Sequence, residues 1–268
     1  MCKKIFTYIG IALIIILFGA YFYCASILER HGKDKIICDR IEISILDSTI
    51  NRFVSKKDVA DLVLYKDTNP VGKNPYAINL NHLEKHLERN SAIKKCDVSF
   101  DRTGKMQISV TQRRPILRME TVSGGFYADE FGYIFPTTRN FTSFVPIFTG
   151  NIPIHINKDY RGCLDGENKI FTDKIIKLAK YIDINEFWNA QVEQIDIHNN
   201  GDITLYTRIG DQKIHFGPMN DIEYKFAKLM SFYKEIVPVY GWEKYSEVNL
   251  KYSNQIVCTK RKTKNKKY

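Results

Sequence analysis

The chain has 268 residues, 44% hydrophobic and 26% charged, with a formal net charge of +10. That length accommodates one large or two ordinary domains, and the composition excludes wholesale disorder. The positive excess sits at the ends, in Lys3 and Lys4 and in six bases over 260–268, which leaves 32 bases against 30 acids for 25–259. A body so balanced lacks the broad basic footprint of a nucleic-acid binder.

Residues 5–23 read IFTYIGIALIIILFGAYFY without a charge. As a helix this run is about 28 Å long, a match to a hydrocarbon core of about 30 Å. It exceeds the 7–15 or so apolar residues of a signal peptide, and Tyr21, Phe22 and Tyr23 close it like an interfacial belt. Cys24-Ala25-Ser26 has the small residues of a cleavage site, but the length of the run favours an anchor. The pattern predicts a cytoplasmic stub over 1–4, a transmembrane helix over 5–24, a polar linker over 25–35 and a single-pass topology. The rest of the chain then forms an ectodomain on the far side of the membrane.

Ile41, Ile43 and Ile45 alternate with polar neighbours, a half-buried strand. Ser55 opens S-K-K-D, a capping-box-like start, and Val59, Leu62 and Val63 follow as an apolar stripe. Residues 66–77 are loop by two prolines and a glycine. Asn81 is the expected cap of a second helix carrying Leu83 and Leu87. Strands over Ile93–Phe100 and Met106–Val110 flank the tight turn Asp101-Arg102-Thr103-Gly104. Residues 36–118 therefore read as a β-α-α-β-β domain.

A second domain is expected over 119–259, with Ser123-Gly124-Gly125 as an interdomain link. Asp129-Glu130-Phe131-Gly132 is a turn between short strands. Phe171, Ile175, Leu178, Ala179 and Ile182 fall at helical spacing, and Ile195 and Ile197 pair with Ile203 and Leu205 across a hairpin. Ile214 and Phe216 add a strand. Asn220 with Glu223 opens a helix whose apolar face holds Ile222, Phe226, Leu229, Met230, Tyr233 and Val237, and Gly241 stops it. A final strand carries Val248, Leu250, Tyr252, Ile256 and Cys258 at even positions, interrupted at Asn254. The fold class is α+β, with the second domain a mainly antiparallel sheet under packed helices. A basic, disordered tail fills 260–268.

Chemistry-bearing motifs are missing. The chain has no G-x-S-x-G, P-loop or H-E-x-x-H. His82 and His86 share a helical face but lack a third ligand, and the irregular spacing of Cys38, Cys96, Cys163 and Cys258 fits no zinc site. Small buried hydrophobes are the simplest reading of these cysteines, with disulfides open. No catalytic residue, metal or cofactor is expected. The competing enzyme reading, an anchored hydrolase, rests on His155, His198 or His215.

The β-α-α-β-β order, the stretch from Asn90 to Val98, the Met106–Val110 strand and Arg113-Arg114-Pro115 resemble a POTRA domain of the bacterial cell-division FtsQ/DivIB family. Asp129 to Phe135 is similar to that family's Asp-x-x-Gly hairpin. Val145-Pro146-Ile147-Phe148-Thr149-Gly150 is similar to its Leu-Pro-x-hydrophobic-x-Gly segment. Val248-Asn249-Leu250-Lys251-Tyr252 resembles its hydrophobic-Asp-Leu-Arg-Tyr strand, with Asn249 in place of the acid and Lys251 in place of the arginine. The resemblance implies a non-enzymatic, inner-membrane divisome scaffold, with its N-terminus cytoplasmic and its ectodomain periplasmic at the septum. Its implied partners are FtsB/FtsL-like single-span proteins received along a C-terminal edge strand. On this chain that edge maps to Val248, Leu250, Lys251, Tyr252, Gln255, Ile256 and Val257. The POTRA domain is implied to dock other divisome proteins, with Ile41–Leu46 as its candidate edge. An outer-membrane assembly or translocation factor also carries POTRA domains, but no barrel-length series of alternating strands follows here.

Overall fold

The computed structural model describes residues 14–25, 36–49, 52–65, 68–138 and 141–262. Residues 14–25 are helical (α1) and exposed throughout, with the rings of Phe18 and Phe22 in contact. Among the described residues no helix is long and apolar enough to cross a membrane. The first part of the expected span (5–13), the stub 1–4 and most of the linker (26–35) lie outside the described residues.

The chain divides into two compact units, one ending at Gln112 and the other starting at Arg113 and also taking in residues 49–53. The divide therefore precedes the expected limit of 118. In the first unit, β1 (Ile41–Ile45) is followed by α2 (Lys56–Val63), a 3-10 turn (Pro75–Ala77), α3 (Leu80–Glu88), β2 (Ile93–Phe100) and β3 (Met106–Gln112). The expected capping box is formed in full, with the Ser55 hydroxyl accepting from the Asp58 amide and the Asp58 carboxylate accepting from the Ser55 amide. The cap of α3 is Asn79, not Asn81. Its Oδ1 accepts from the His82 amide, so the helix starts earlier than its apolar spacing suggests. β3 lies between β1, to which it is parallel, and β2, to which it is antiparallel. Val59, Val63, Leu83 and Leu87 bury themselves together with Cys96, Val98, Met106, Ile108 and Val110 of the sheet.

Glu84 and Glu88, one turn apart on α3, accept the amides of Val98 and Cys96 at 2.8 and 3.1 Å. That rim of the sheet is sealed by carboxylates. Burial, with Glu84, Glu88 and Asp97 close by, pushes the Cys96 thiol up to about 12, and burial likewise raises Cys38. Both behave as small apolar side chains.

The second unit is built on a ten-stranded sheet. Its strands are β4 (Pro115–Thr121), β5 (Gly124–Asp129), β6 (Tyr133–Pro136), β7 (Ile147–Gly150), β8 (Gly162–Cys163), β9 (Val192–Ile197), β10 (Ile203–Thr207), β11 (Lys213–Gly217), β12 (Tyr245–Asn249) and β13 (Val257–Lys260). They lie in the order β13-β12-β11-β10-β9-β7-β4-β5-β6-β8. The helices are α4 (Gly166–Ile184), α5 (Glu186–Gln191), α6 (Ile222–Ser231), a π-helical turn (Phe232–Ile236) and α7 (Val237–Tyr240). Met119, Phe148, Ile195, Leu205, Ile214 and Val248 face one another across six neighbouring strands, and all are fully buried. Ile175, Leu178, Ala179, Ile182, Phe226 and Leu229 of α4 and α6 belong to the same core.

The sheet is mainly antiparallel, as expected, with β7 parallel to both β4 and β9 and β12 parallel to β11. Crossovers through the β5–β6 hairpin, through α4 and through α6 return the chain in the same direction. Several other expectations change. Ser123-Gly124-Gly125 is no interdomain link. Thr121 pairs with Gly124 in a hairpin turn inside the second unit. Asn220 does not cap α6, whose N-cap is Asp221 at φ 47. Asn220 Oδ1 instead accepts from Lys225, a buried ammonium that also bonds the Pro218 carbonyl and whose pKa burial lowers. Of the tail expected over 260–268, Lys260 instead ends β13 and the Arg261 amide bonds the Lys244 carbonyl, while 263–268 lie outside the described residues.

The Asp129 turn is held by charge. Asp129 Oδ1 accepts from the Phe131 and Tyr133 amides, while Oδ2 accepts from Arg113 at 3.1 Å. The guanidinium carbon lies 3.4 Å from the Tyr133 ring centroid. Asp129→Ala is expected to cost about 3 kcal/mol, because it strands a largely buried guanidinium and two turn amides. Urea denaturation measures it, with exposed Glu130→Ala as a control of about 0.5 kcal/mol or less.

Candidate partner-binding edge

The expected final strand is two strands. β12 ends at Asn249, the chain turns over 250–256, and β13 returns antiparallel with Asn249 opposite Val257 and Val248 opposite Cys258. The turn is set by Asn254 in the left-handed region at φ 57, a conformation asparagine tolerates better than most side chains. Tyr224 of α6 clamps that residue, its hydroxyl donating to Asn254 Oδ1 and accepting from the Asn254 amide. Lys228, one turn further along, donates to the carbonyls of Leu250 and Tyr252 at 2.9 and 2.5 Å. Burial there lowers its pKa.

The structure distributes the seven expected binding residues into three groups. Val248 and Leu250 are core, facing the helices. The Lys251 ammonium bonds Asp202 of the β9–β10 turn at 2.5 Å, and its stem lies so close to Gly217 that a Cβ there would meet Lys251 Cγ at 2.8 Å. Asn249 Oδ1 accepts from the Lys251 amide, so the amide in place of the family's acid closes a local turn. Tyr252, Gln255 and Val257 are exposed and Ile256 half-buried at the rim. β12 itself is covered on both sides, by β11 and β13. The outermost strand is β13, of which the expected set contains Val257 alone.

β13 has no strand beyond it among the described residues. The Thr259 carbonyl accepts from Ser246 of β12, and the Arg261 amide turns to Lys244 on the same side. Strand alternation therefore sends the amides and carbonyls of Cys258 and Lys260 outward. Beside this strand runs a groove of about 710 Å³, with Phe232, Ile236, Tyr245, Ile256 and Cys258 as apolar lining and Lys260 at its rim. The π-helical turn Phe232–Ile236 contributes two of those side chains, an irregularity often found at functional sites. Sequence reasoning missed Cys258, Thr259, Lys260, Tyr224 and Lys228. The available signal was Asn254, which broke the alternation at the position of the turn. In the first unit, β1 (Ile41–Ile45) is an outer strand, the place expected for Ile41–Leu46.

Of the histidines of the hydrolase reading, His155 stands apart, exposed on its own loop. His198 Nε2 and His215 Nδ1 converge on the hydroxyl of the buried Thr204 at 2.8 and 3.4 Å. These residues belong to a polar row, Thr149, Asp196, Thr204, His215 and Asn249, on the sheet face opposite the helices. Among the described residues no group of three or more metal-ligating side chains gathers.

Tyr224→Phe removes both bonds to Asn254 and is expected to speed amide exchange over 252–256 about fivefold, the equivalent of about 1 kcal/mol, with β10 unchanged. The Lys251 bond holds the Asp202 carboxyl below the usual carboxylate range. Its stabilisation is therefore complete above the unfolded-state pKa and lost as pH falls through the folded-state value. The stability difference between the native chain and Asp202→Asn, read by urea titration, should shrink as pH falls below about 4 and disappear once the folded-state carboxylate is protonated.

A model of the FtsQ/DivIB C-terminal-related domain matches residues 114–259, and a POTRA-like domain model matches residues 36–111. No curated protein matches the chain.

Proposed function

The chain belongs to the FtsQ/DivIB family, and we propose that it acts as a membrane-anchored scaffold of the bacterial divisome that receives single-span FtsB/FtsL-like partners on the β13 edge. The family is one of non-enzymatic cell-division proteins. The observation that carries the reading is the outer side of β13, a row of outward backbone groups beside an apolar groove. An incoming strand satisfies those groups by main-chain hydrogen bonds and sets alternate side chains into the groove.

In this reading Tyr252, Gln255, Ile256 and Val257 touch the partner, whereas Val248, Leu250 and Lys251 hold the hairpin in place. Support for the anchor comes from the uncharged run 5–23 and from the exposed apolar side chains of α1. A chain so tethered keeps its N-terminus in the cytoplasm and its two units in the periplasm, and its partners bring it to the septum. The outer strand β1 gives the POTRA-like unit a second place to receive divisome proteins.

Detergent-solubilised full chain, co-expressed with an FtsB/FtsL-like pair, tests the edge. Lys260→Pro removes an outward donor and places a ring in the path of an added strand, so capture should fall at least about tenfold. Lys260→Ala keeps the backbone donor and should capture within about twofold of the native chain. Undiminished capture by the proline variant refutes the edge as the docking site.

A further inference from the structure

Three segments meet at the end of the first unit where the chain enters it. The Cys38 amide bonds the Lys73 carbonyl and the Gly72 amide bonds the Cys38 carbonyl, at 2.9 and 2.8 Å. The β2–β3 turn packs against the same entry strand, because a Cβ on Gly104 (φ +92) would lie 2.6 Å from the Ile37 carbonyl oxygen. Ile37, Val71 and Tyr76 are exposed there to 55%, 44% and 65%. A shallow groove of about 360 Å³ opens beside them, walled by Ile36, Pro75, Leu80 and Phe100 with Arg102 at its rim.

The charge at this end is cationic. Lys73 and Arg102 are exposed there, and in sequence residues 26–35 hold Arg30, Lys33 and Lys35 against Glu29 and Asp34. Of the neighbouring acids, Asp101 keeps its charge while closing its own turn on Thr103 and the Lys105 amide, which hold its carboxyl below the usual range, and the other two have basic partners. Asp39 sits 3.6 Å from Arg40, and Glu42 pairs with Lys105 at 2.5 Å. Exposed aliphatic side chains, a tyrosine and two exposed bases are the composition of a surface that settles at the headgroup layer.

We propose that this end of the POTRA-like unit, carrying Ile37, Val71, Lys73, Tyr76 and Arg102, docks on the anionic face of the membrane in which the chain is anchored. The inference rests on the anchoring reading above. Reach permits it, since ten residues span at most about 35 Å even when fully extended, so in this reading residues 36–40 stay near the bilayer. Tethering at that distance raises the effective concentration of the patch at the surface, and two or three bases with one aromatic ring then suffice for contact. The docked unit has a fixed orientation, with β1 standing away from the bilayer by its C-terminal end.

The full chain in nanodiscs of phosphatidylcholine, with and without phosphatidylglycerol, tests this by hydrogen–deuterium exchange. Amides over 71–77 and 101–104 should exchange about fivefold slower in the phosphatidylglycerol discs, with β10 amides unchanged. The doubly reversed chain, Lys73→Glu with Arg102→Glu, should lose that protection while keeping the exchange pattern of β2 and β3. Equal exchange in the two discs, or protection that survives the double reversal, overturns the inference alone. A chain that fails to enter either disc overturns the anchoring reading and this inference with it.

Discussion

One row of apolar side chains governs the second unit. Met119, Phe148, Ile195, Leu205, Ile214 and Val248 stand opposite one another across six strands and are sealed beneath α4 and α6. Because strand side chains alternate with period two, slipping any of these strands by one residue would exchange this row for the polar one of Thr149, Asp196, Thr204, His215 and Asn249. The cost of burying those groups pins the register. Register in turn carries β12 to its place and leaves β13 outermost, so the position of the open rim follows from core packing several strands away.

Local chemistry was readable where a residue's preference and its environment agreed. Ser55 with Asp58, the strand Ile93–Phe100, the hairpin around His198 to Asp202, and the apolar face of α6 all form as their patterns require. Long-range pairing was not readable, because nothing in Ile147–Gly150 records that this strand will lie parallel to both its neighbours. Asn220 misled for a different reason. Its amide resembles a cap, but a lysine five positions on needed a partner after burial.

The candidate site was half legible. Val248 and Cys258 both point to the helices, so the even-numbered alternation keeps its phase on either side of the turn, with Asn254 as its interruption, and imitates a single long strand. The family resemblance directed attention to this hairpin, and its motif residues build the hairpin's inner half. Lys251 shows this most clearly, since its charge is taken up by Asp202. Motif residues here are the frame, and the less distinctive Val257 to Lys260 form the outer strand.

The carboxylates of Glu84 and Glu88 on the β2 amides have a consequence for how the smaller sheet can associate. Growth of a fibre requires every added copy to present a fresh adhesive side as it covers the previous one. A sheet with one flank permanently occupied can accept a single visitor along the other and then offers nothing to a next, so association stops at a pair. That asymmetry separates a unit able to take one added strand from a seed of aggregation.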